Sequence, residues 1–289
     1  MHHWCVRSSV ALVGVVGLLF SSSPASAHVV YGGSLYSDSS VIDPITGLAG
    51  TGSTFSNQST TVRSNAGWVA GLDATTGGDT HNTRFLYFNL AQAQTIDFTI
   101  TALANSNGAG LLNPAYSLFA GAVPNVSHDA EYYAGQTTFA SWSPFASANP
   151  GIIANGGAVG GKWGEFRANA NVTMSNTTTT STMVYTGLFG LNSTGNVITG
   201  HYQLTPGLYT LVVGGGNVSE LAVLLSHAMA TNGDYTTPSG ALTGYTNARL
   251  ARNFNIAFSV TPVPIPAAVW LFGSGLAGLV ALARRRSVA

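Results

Sequence analysis

Thr95–Leu103 reads TIDFTITAL, and its strict alternation decides the fold class. Ile96, Phe98, Ile100 and Ala102 share one face, and Thr95, Asp97, Thr99 and Thr101 share the other. A period of two is that of a half-buried β-strand, because successive side chains of an extended chain point to opposite sides. Asn253–Val260, NFNIAFSV, repeats the pattern with Phe254, Ile256, Phe258 and Val260 inward. Further strands are predicted at RFLYFNL (84–90), AYSLFAG (115–121), EFRANANVTM (165–174), TMVYTGLFG (182–190), GLYTLVVGG (207–215) and LAVLLSHAMA (221–230). No amphipathic helix of convincing length interrupts them. Many short strands separated by Gly, Pro, Asn and Ser predict an all-β chain, an antiparallel β-sandwich or jelly roll. One domain is expected over 28–261, and the sequence leaves open whether its first 35 or so residues join the core.

Composition narrows the function classes. Only 7% of the 289 residues are charged, against roughly 25% in ordinary soluble domains. Four of the ten basic residues (Arg7, Arg284, Arg285, Arg286) lie in the terminal segments, leaving six against ten acidic ones in between. A weakly acidic middle offers no basic patch for nucleic acid.

Both ends read as targeting segments. Residues 1–27 form a signal peptide: Arg7 supplies the positive charge, Val10–Phe20 the apolar run, and Ala25-Ser26-Ala27 the small-x-small cleavage site. Cleavage there implies passage through the Sec translocon and leaves His28 first. The only cysteine, Cys5, falls inside the leader, so the mature chain has no disulfide. At the other end, 267–283 carries no charge over 17 residues. As a helix it would be about 26 Å long, enough for the bilayer hydrocarbon core. Arg284, Arg285 and Arg286 would stay cytoplasmic by the positive-inside bias, with everything before Val263 outside. The prolines at 262, 264 and 266 are expected to exclude regular helix or sheet just upstream and to keep an extended, accessible backbone. A plain membrane anchor explains the same features.

The layout of Val263-Pro264-Ile265-Pro266, apolar helix and Arg cluster, worded VPIPAAVWLFGSGLAGL, closely resembles the PEP-CTERM sorting signal of Gram-negative bacteria. Ile265 stands where the namesake motif has Glu. The resemblance covers 262–289 and implies an exosortase-type transpeptidase as partner, with cleavage near the proline motif. It also implies an inner-membrane intermediate, and then a place on the cell surface or in exopolysaccharide and biofilm matrix. In the middle, LTPGLYTLVVGGGN (204–217) and NPAYSLFAGAVP (113–124) are similar to segments of the bacterial pre-peptidase C-terminal β-sandwich. That likeness implies a binding or accessory module.

Candidate chemistry is sparse. An N-terminal His28 would offer its amine and imidazole to copper, with His81, His128, His201 or His227 completing the brace seen in lytic polysaccharide monooxygenases. Asp73 and Asp79 in one loop, and Asp129 and Glu131 in another, are candidate calcium ligands, since calcium takes carboxylate and carbonyl oxygens. Asx turns explain the same acids. Tyr132, Tyr133, Trp142 and Trp163 fall in the loop-rich middle, where aromatic rings could stack on sugars; the tryptophans could equally fill the core. The Gly-rich stretch 147–164 lacks the order of a phosphate-binding loop, and no Gly-x-Ser-x-Gly occurs. MSNTTTTSTM (174–183) is either a solvated loop or a β-edge with hydroxyl ladders. The expectation is a non-enzymatic structural or carbohydrate-associating protein, the alternative a secreted copper or hydrolytic enzyme acting on polysaccharide.

Overall fold

A computed structural model describes residues 29, 31–54, 58–66, 77–78, 83–129, 166–169, 171–176, 178–223, 244–263, 271–272 and 274–278. The strands, in chain order, are β1 Tyr31–Ser37, β2 Gln58–Val62, β3 Gly77–Gly78, β4 Arg84–Leu90, β5 Gln94–Leu103, β6 Pro114–Ala120, β7 His128–Asp129, β8 Phe166–Arg167, β9 Val172–Ser175, β10 Thr180–Leu191, β11 Val197–Leu204, β12 Gly207–Gly215 and β13 Arg252–Pro262. They form a seven-stranded sheet, β1-β4-β12-β6-β10-β9-β7, a four-stranded sheet, β11-β5-β13-β2, and the small pair β3-β8.

The two large sheets meet over one core. From the four-stranded sheet come Ile96, Phe98, Ile100, Phe254, Ile256 and Phe258; from the other come Leu86, Phe88, Tyr116, Leu118, Leu211 and Val213. For β5 and β13 these are the inward phases read from the alternation. β12 lies between β4 and β6, and a second cluster packs on its far side, with Val212, Phe85 and Phe119 against Val172, Met174 and Met183. Burial on both faces explains why β12 reads as a nearly continuous apolar run. Leu35, Tyr36 and Val62 belong to the main core, so the N-terminal strands β1 and β2 are part of the sandwich.

Three expectations need correction. Residues 218–223 are helical, so the strand predicted at 221–230 does not begin at Leu221; 224–230 lie outside the described residues. The cause is a helix start: the Asn217 side-chain oxygen accepts the Glu220 N–H at 2.9 Å, as an N-cap does. The segment 165–174 is not one strand, because a turn at 168–169 separates β8 from β9. Pro262 is strand, opposite Gln94. Among the described residues β2 pairs with β13 only from Arg252 to Ile256, so the end of β13 has a described partner on the β5 side alone, and a proline is tolerated on such an edge.

The Thr-rich stretch is the β9–β10 hairpin. Its hydroxyls pair across the strands, Thr173 with Thr182 and Ser175 with Thr180, each at 2.7 Å.

At the end where β13 begins, Arg252 keeps the inward phase beyond the apolar core and is fully buried. Its guanidinium donates to Asn247 O (3.0 Å) and to the Glu220 carboxylate (3.4 Å). Burial lowers its pKa, and the Glu220 charge opposes that shift. Asn65 joins the same network, donating to Glu220 (3.1 Å) and Asn113 (2.9 Å) while accepting the Asn113 N–H (2.7 Å).

Candidate functional site

Among the described residues no strand packs on the outward phase of the four-stranded sheet, which is mostly polar, and its register sets the side chains in rows. Across β11, β5 and β13 the rows are Gln203–Thr95–Thr261, His201–Asp97–Ser259 and Thr199–Thr99–Ala257. Val197–Thr101–Asn255 follows, with Asn255 opposite Ser59 of β2. A groove of about 460 Å³ lies over the second and third rows, and the small Ala257 side chain keeps its floor low.

Among the described residues the one ion-pairing couple on this face is His201 Nδ1 with Asp97 Oδ1 at 2.5 Å. Both are solvated, with side chains 73% and 47% exposed, so the pair contributes little to stability. Its chemical content is a charged acceptor beside an imidazole donor, with hydroxyls on both sides. A Ser-His-Asp relay needs the histidine between nucleophile and carboxylate. Here Asp97 is in the middle, so His201 does not stand between it and Ser259. The arrangement suits recognition of hydroxyl groups rather than acyl transfer.

The edge beside this face is blunted. β11 is the outer strand of its sheet. Two of its carbonyls are taken by side chains, Val197 O by Asn192 (2.8 Å) and Thr199 O by the Tyr116 hydroxyl (3.3 Å). Filling edge acceptors hinders strand addition there. Burial, together with hydrogen bonding to Tyr202, pushes the Tyr116 hydroxyl well above the ordinary tyrosine pKa, so it stays protonated.

Most residues singled out from the sequence lie outside the described residues: Ala25, Ala27, His28, Asp73, Asp79, His81, Glu131, Tyr132, Tyr133, Trp142, Trp163, His227, Pro264, Ile265, Pro266, Arg284, Arg285 and Arg286. Val263 follows β13 and is half-buried. His128 and Asp129 form β7, opposite Ser175 and Met174 at the far edge of the seven-stranded sheet. His201 is on the other sheet, so the structure puts these two histidines on different elements. Among the described residues no group of three or more His, Cys, Asp or Glu side chains could hold a metal ion. Of the predicted span 267–283, residues 271–272 and 274–278 are helical, with Leu271, Phe272 and Leu276 exposed. Among the described residues no helix is long and apolar enough to cross a membrane.

The fold defines an all-β, two-sheet protein. No protein-family model matches the chain, and no curated protein matches it. Among solved structures it is similar to CorA, a surface-associated copper-binding protein important in Methylomicrobium album BG8 copper acquisition. The identity is 12% over 81% of this chain and 99% of that one, with a TM-score of 0.40. MopE, a secreted copper-binding protein of Methylococcus capsulatus, has 13% identity over 76% and 90%, with a TM-score of 0.33. The pre-peptidase C-terminal domain of a Bacillus anthracis collagenase has 11% identity over 70% and 87%, with a TM-score of 0.24. At these scores nothing is transferred from them to this chain.

Proposed function

We propose that this chain is an exported, non-enzymatic surface or matrix protein that associates with hydrated polysaccharide and is delivered by an exosortase-type sorting system. The observation that carries the binding role is the outer face of the four-stranded sheet. Coplanar hydroxyls and amides surround a single carboxylate–imidazole pair there, and no Lys or Arg stands in its rows. Such a face offers a sugar many acceptors and donors at fixed spacing, with no charge to select an anionic partner. The sorting role rests on the sequence of 262–289 and on the leader. Binding is tested by retention of the exported protein on the extracellular polysaccharide of its host. Asp97→Ala removes a charged hydrogen-bond partner, commonly about 1.5–3 kcal/mol, so retention is expected to weaken roughly tenfold or more. Unchanged retention would refute the site. Sorting is tested by the intact mass of the native protein, expected to begin at His28 and end near Pro264–Pro266.

A second reading, copper binding by the processed N-terminus, is favoured by one backbone contact. Val29 bridges Ser127: the Val29 N–H donates to Ser127 O (3.0 Å), and the Val126 N–H donates to Val29 O (2.8 Å). A chain cleaved after Ala27 starts one residue before this bridge, and His128 comes one residue after Ser127. Of the four candidate partners, His128 is therefore the one to test. Cu(II) titration of a chain starting at His28 should show tight binding that is lost on adding one residue in front or on His128→Ala.

A further inference from the structure

One end of the sandwich gathers the apolar loops and the exit of the chain. β1 ends at Ser37 beside Asn89 of β4, β5 starts at Gln94 opposite both Leu204 and Pro262, and Gly207 of β12 lies opposite Leu90. The loop 38–54, the turns 91–93 and 205–206, and the end of β13 thus share this end. β6 also finishes here, with Ala120 opposite Tyr209 and the Gly121 N–H donating to Leu208 O.

The loop after β1 is closed by hydrogen bonds and apolar at its tip. Asp43 is buried and accepts from Ile45 N–H (2.9 Å), Thr46 N–H (3.1 Å) and the Tyr87 hydroxyl (2.9 Å). The backbone closes the hairpin, with Asp43 N–H donating to Leu48 O (2.8 Å) and Gly50 N–H to Val41 O (3.0 Å). Gly47 supplies the left-handed turn at φ 71°. This scaffold holds Ile42 and Leu48 outward, 63% and 68% exposed, the most exposed large apolar side chains described outside the tail.

Charge is distributed the other way. Arg63 follows Val62, which pairs with Arg252; Arg249 precedes Arg252; and Arg84 opens β4. All four therefore lie at the opposite end. Among the described residues the loop 38–54 carries no basic side chain, and its acids are Asp38 at the surface and the buried Asp43.

The chain itself indicates what covers this end. Between Pro262 and the uncharged segment that starts at Ala267 there are five steps of chain, which reach at most about 17 Å. A bilayer has roughly 5–8 Å of headgroup region on each side of its hydrocarbon core. With 267–283 in a membrane, the end bearing Ile42 and Leu48 is tethered near the lipid interface.

We propose that, while the C-terminal segment is anchored, the sandwich rests end-on against the outer surface of the bilayer, with Ile42 and Leu48 in the interface of neutral lipid. The inference rests on the anchoring reading above. It holds residues 263–266 at the membrane surface, where a membrane-embedded processing enzyme would meet them.

The test uses the processed chain that starts at His28, which has no cysteine of its own, with a single new cysteine, Leu48→Cys or, at the opposite end, Ser106→Cys. Each is labelled with an environment-sensitive fluorophore and reconstituted into phosphatidylcholine vesicles that contain an acyl-chain quencher lipid. Both proteins should float with the vesicles, with a blue-shifted emission quenched at least twofold at position 48 and an unquenched one at position 106. If both float and position 48 is as unquenched as 106, end-on docking is wrong and the anchor stands. If neither floats, the anchoring reading fails and takes this inference with it.

Discussion

Replacing Asn65 tests whether a polar network, rather than apolar contact, locks the end of the sandwich where β13 begins. Asn65 is only 2% exposed, and its side chain makes three hydrogen bonds, two donated and one accepted. Asn65→Ala removes all three and leaves the Asn113 N–H without its acceptor in a site where Asn113 is itself 8% exposed. At about 1 kcal/mol for an ordinary hydrogen bond and 1–3 for a stranded buried group, the expected loss is about 3 kcal/mol. With an m-value of about 3 kcal/mol/M, the urea midpoint should fall by about 1 M. A loss under about 0.5 kcal/mol would show that water replaces the amide at no cost and would refute the network's role.

Asn65→Asp sharpens the test, because it changes charge at nearly constant shape. The acceptor for Asn113 N–H survives, but an oxygen replaces the amide that now donates to Glu220 Oε1 at 3.1 Å. Two carboxylates at that separation cannot both ionise, so one folded-state pKa rises above its unfolded value. A raised pKa contributes stability that is fully present below the unfolded value and is lost as pH rises through the folded one. This variant should therefore be more stable near pH 4 than near pH 8 relative to Asn65→Ala measured at the same two values. A flat difference between the two variants would place the Glu220 carboxylate elsewhere.

Two further outcomes follow from the packing and the tyrosines. A methyl group on Gly215 would lie 2.0 Å from the Asn65 carbonyl carbon, whereas one on Gly108 meets nothing within 4 Å and faces only the strain of φ 77°. Gly215→Ala should thus cost on the order of 3 kcal/mol and Gly108→Ala about 1, by urea denaturation; equal costs would contradict the close approach of β12 to Asn65. Burial raises the Tyr31 hydroxyl to about 12, and Tyr87 is also raised, by burial and then by its hydrogen bond to Asp43. Their stabilisation is complete below the unfolded value of about 10 and drains away above it, so tyrosinate absorbance and loss of near-ultraviolet dichroism should rise together in that range. Titration of every tyrosine near 10 with the fold intact would refute it.

The legible and illegible parts of this chain differ in how their inward positions are filled. β5 and β13 could be read because every inward position from Ile96 to Ile100 and from Phe254 to Phe258 is a large apolar residue. β11 obeys the same alternation, but one of its inward positions is Gly200, where a Cβ would lie 2.3 Å from the Phe98 ring. The core there is filled from the neighbouring strand, so the local pattern is blank although the geometry is regular. β1 is obscured by Gly32 and Gly33, the first packed under the Arg84 side chain. The helix at 218–223 had a local signature, Asn217 three residues before Glu220, which the apolar run after it outweighed. The candidate site shows the same division. That Asp97 faces outward follows from nine consecutive residues, but its meeting with His201 spans 104 residues and depends on the register of two strands. Side-chain alternation specifies a face, and only strand pairing specifies which residues share a row. A surface made of rows is therefore the kind of site that a single sequence conceals, even where every strand carrying it can be found.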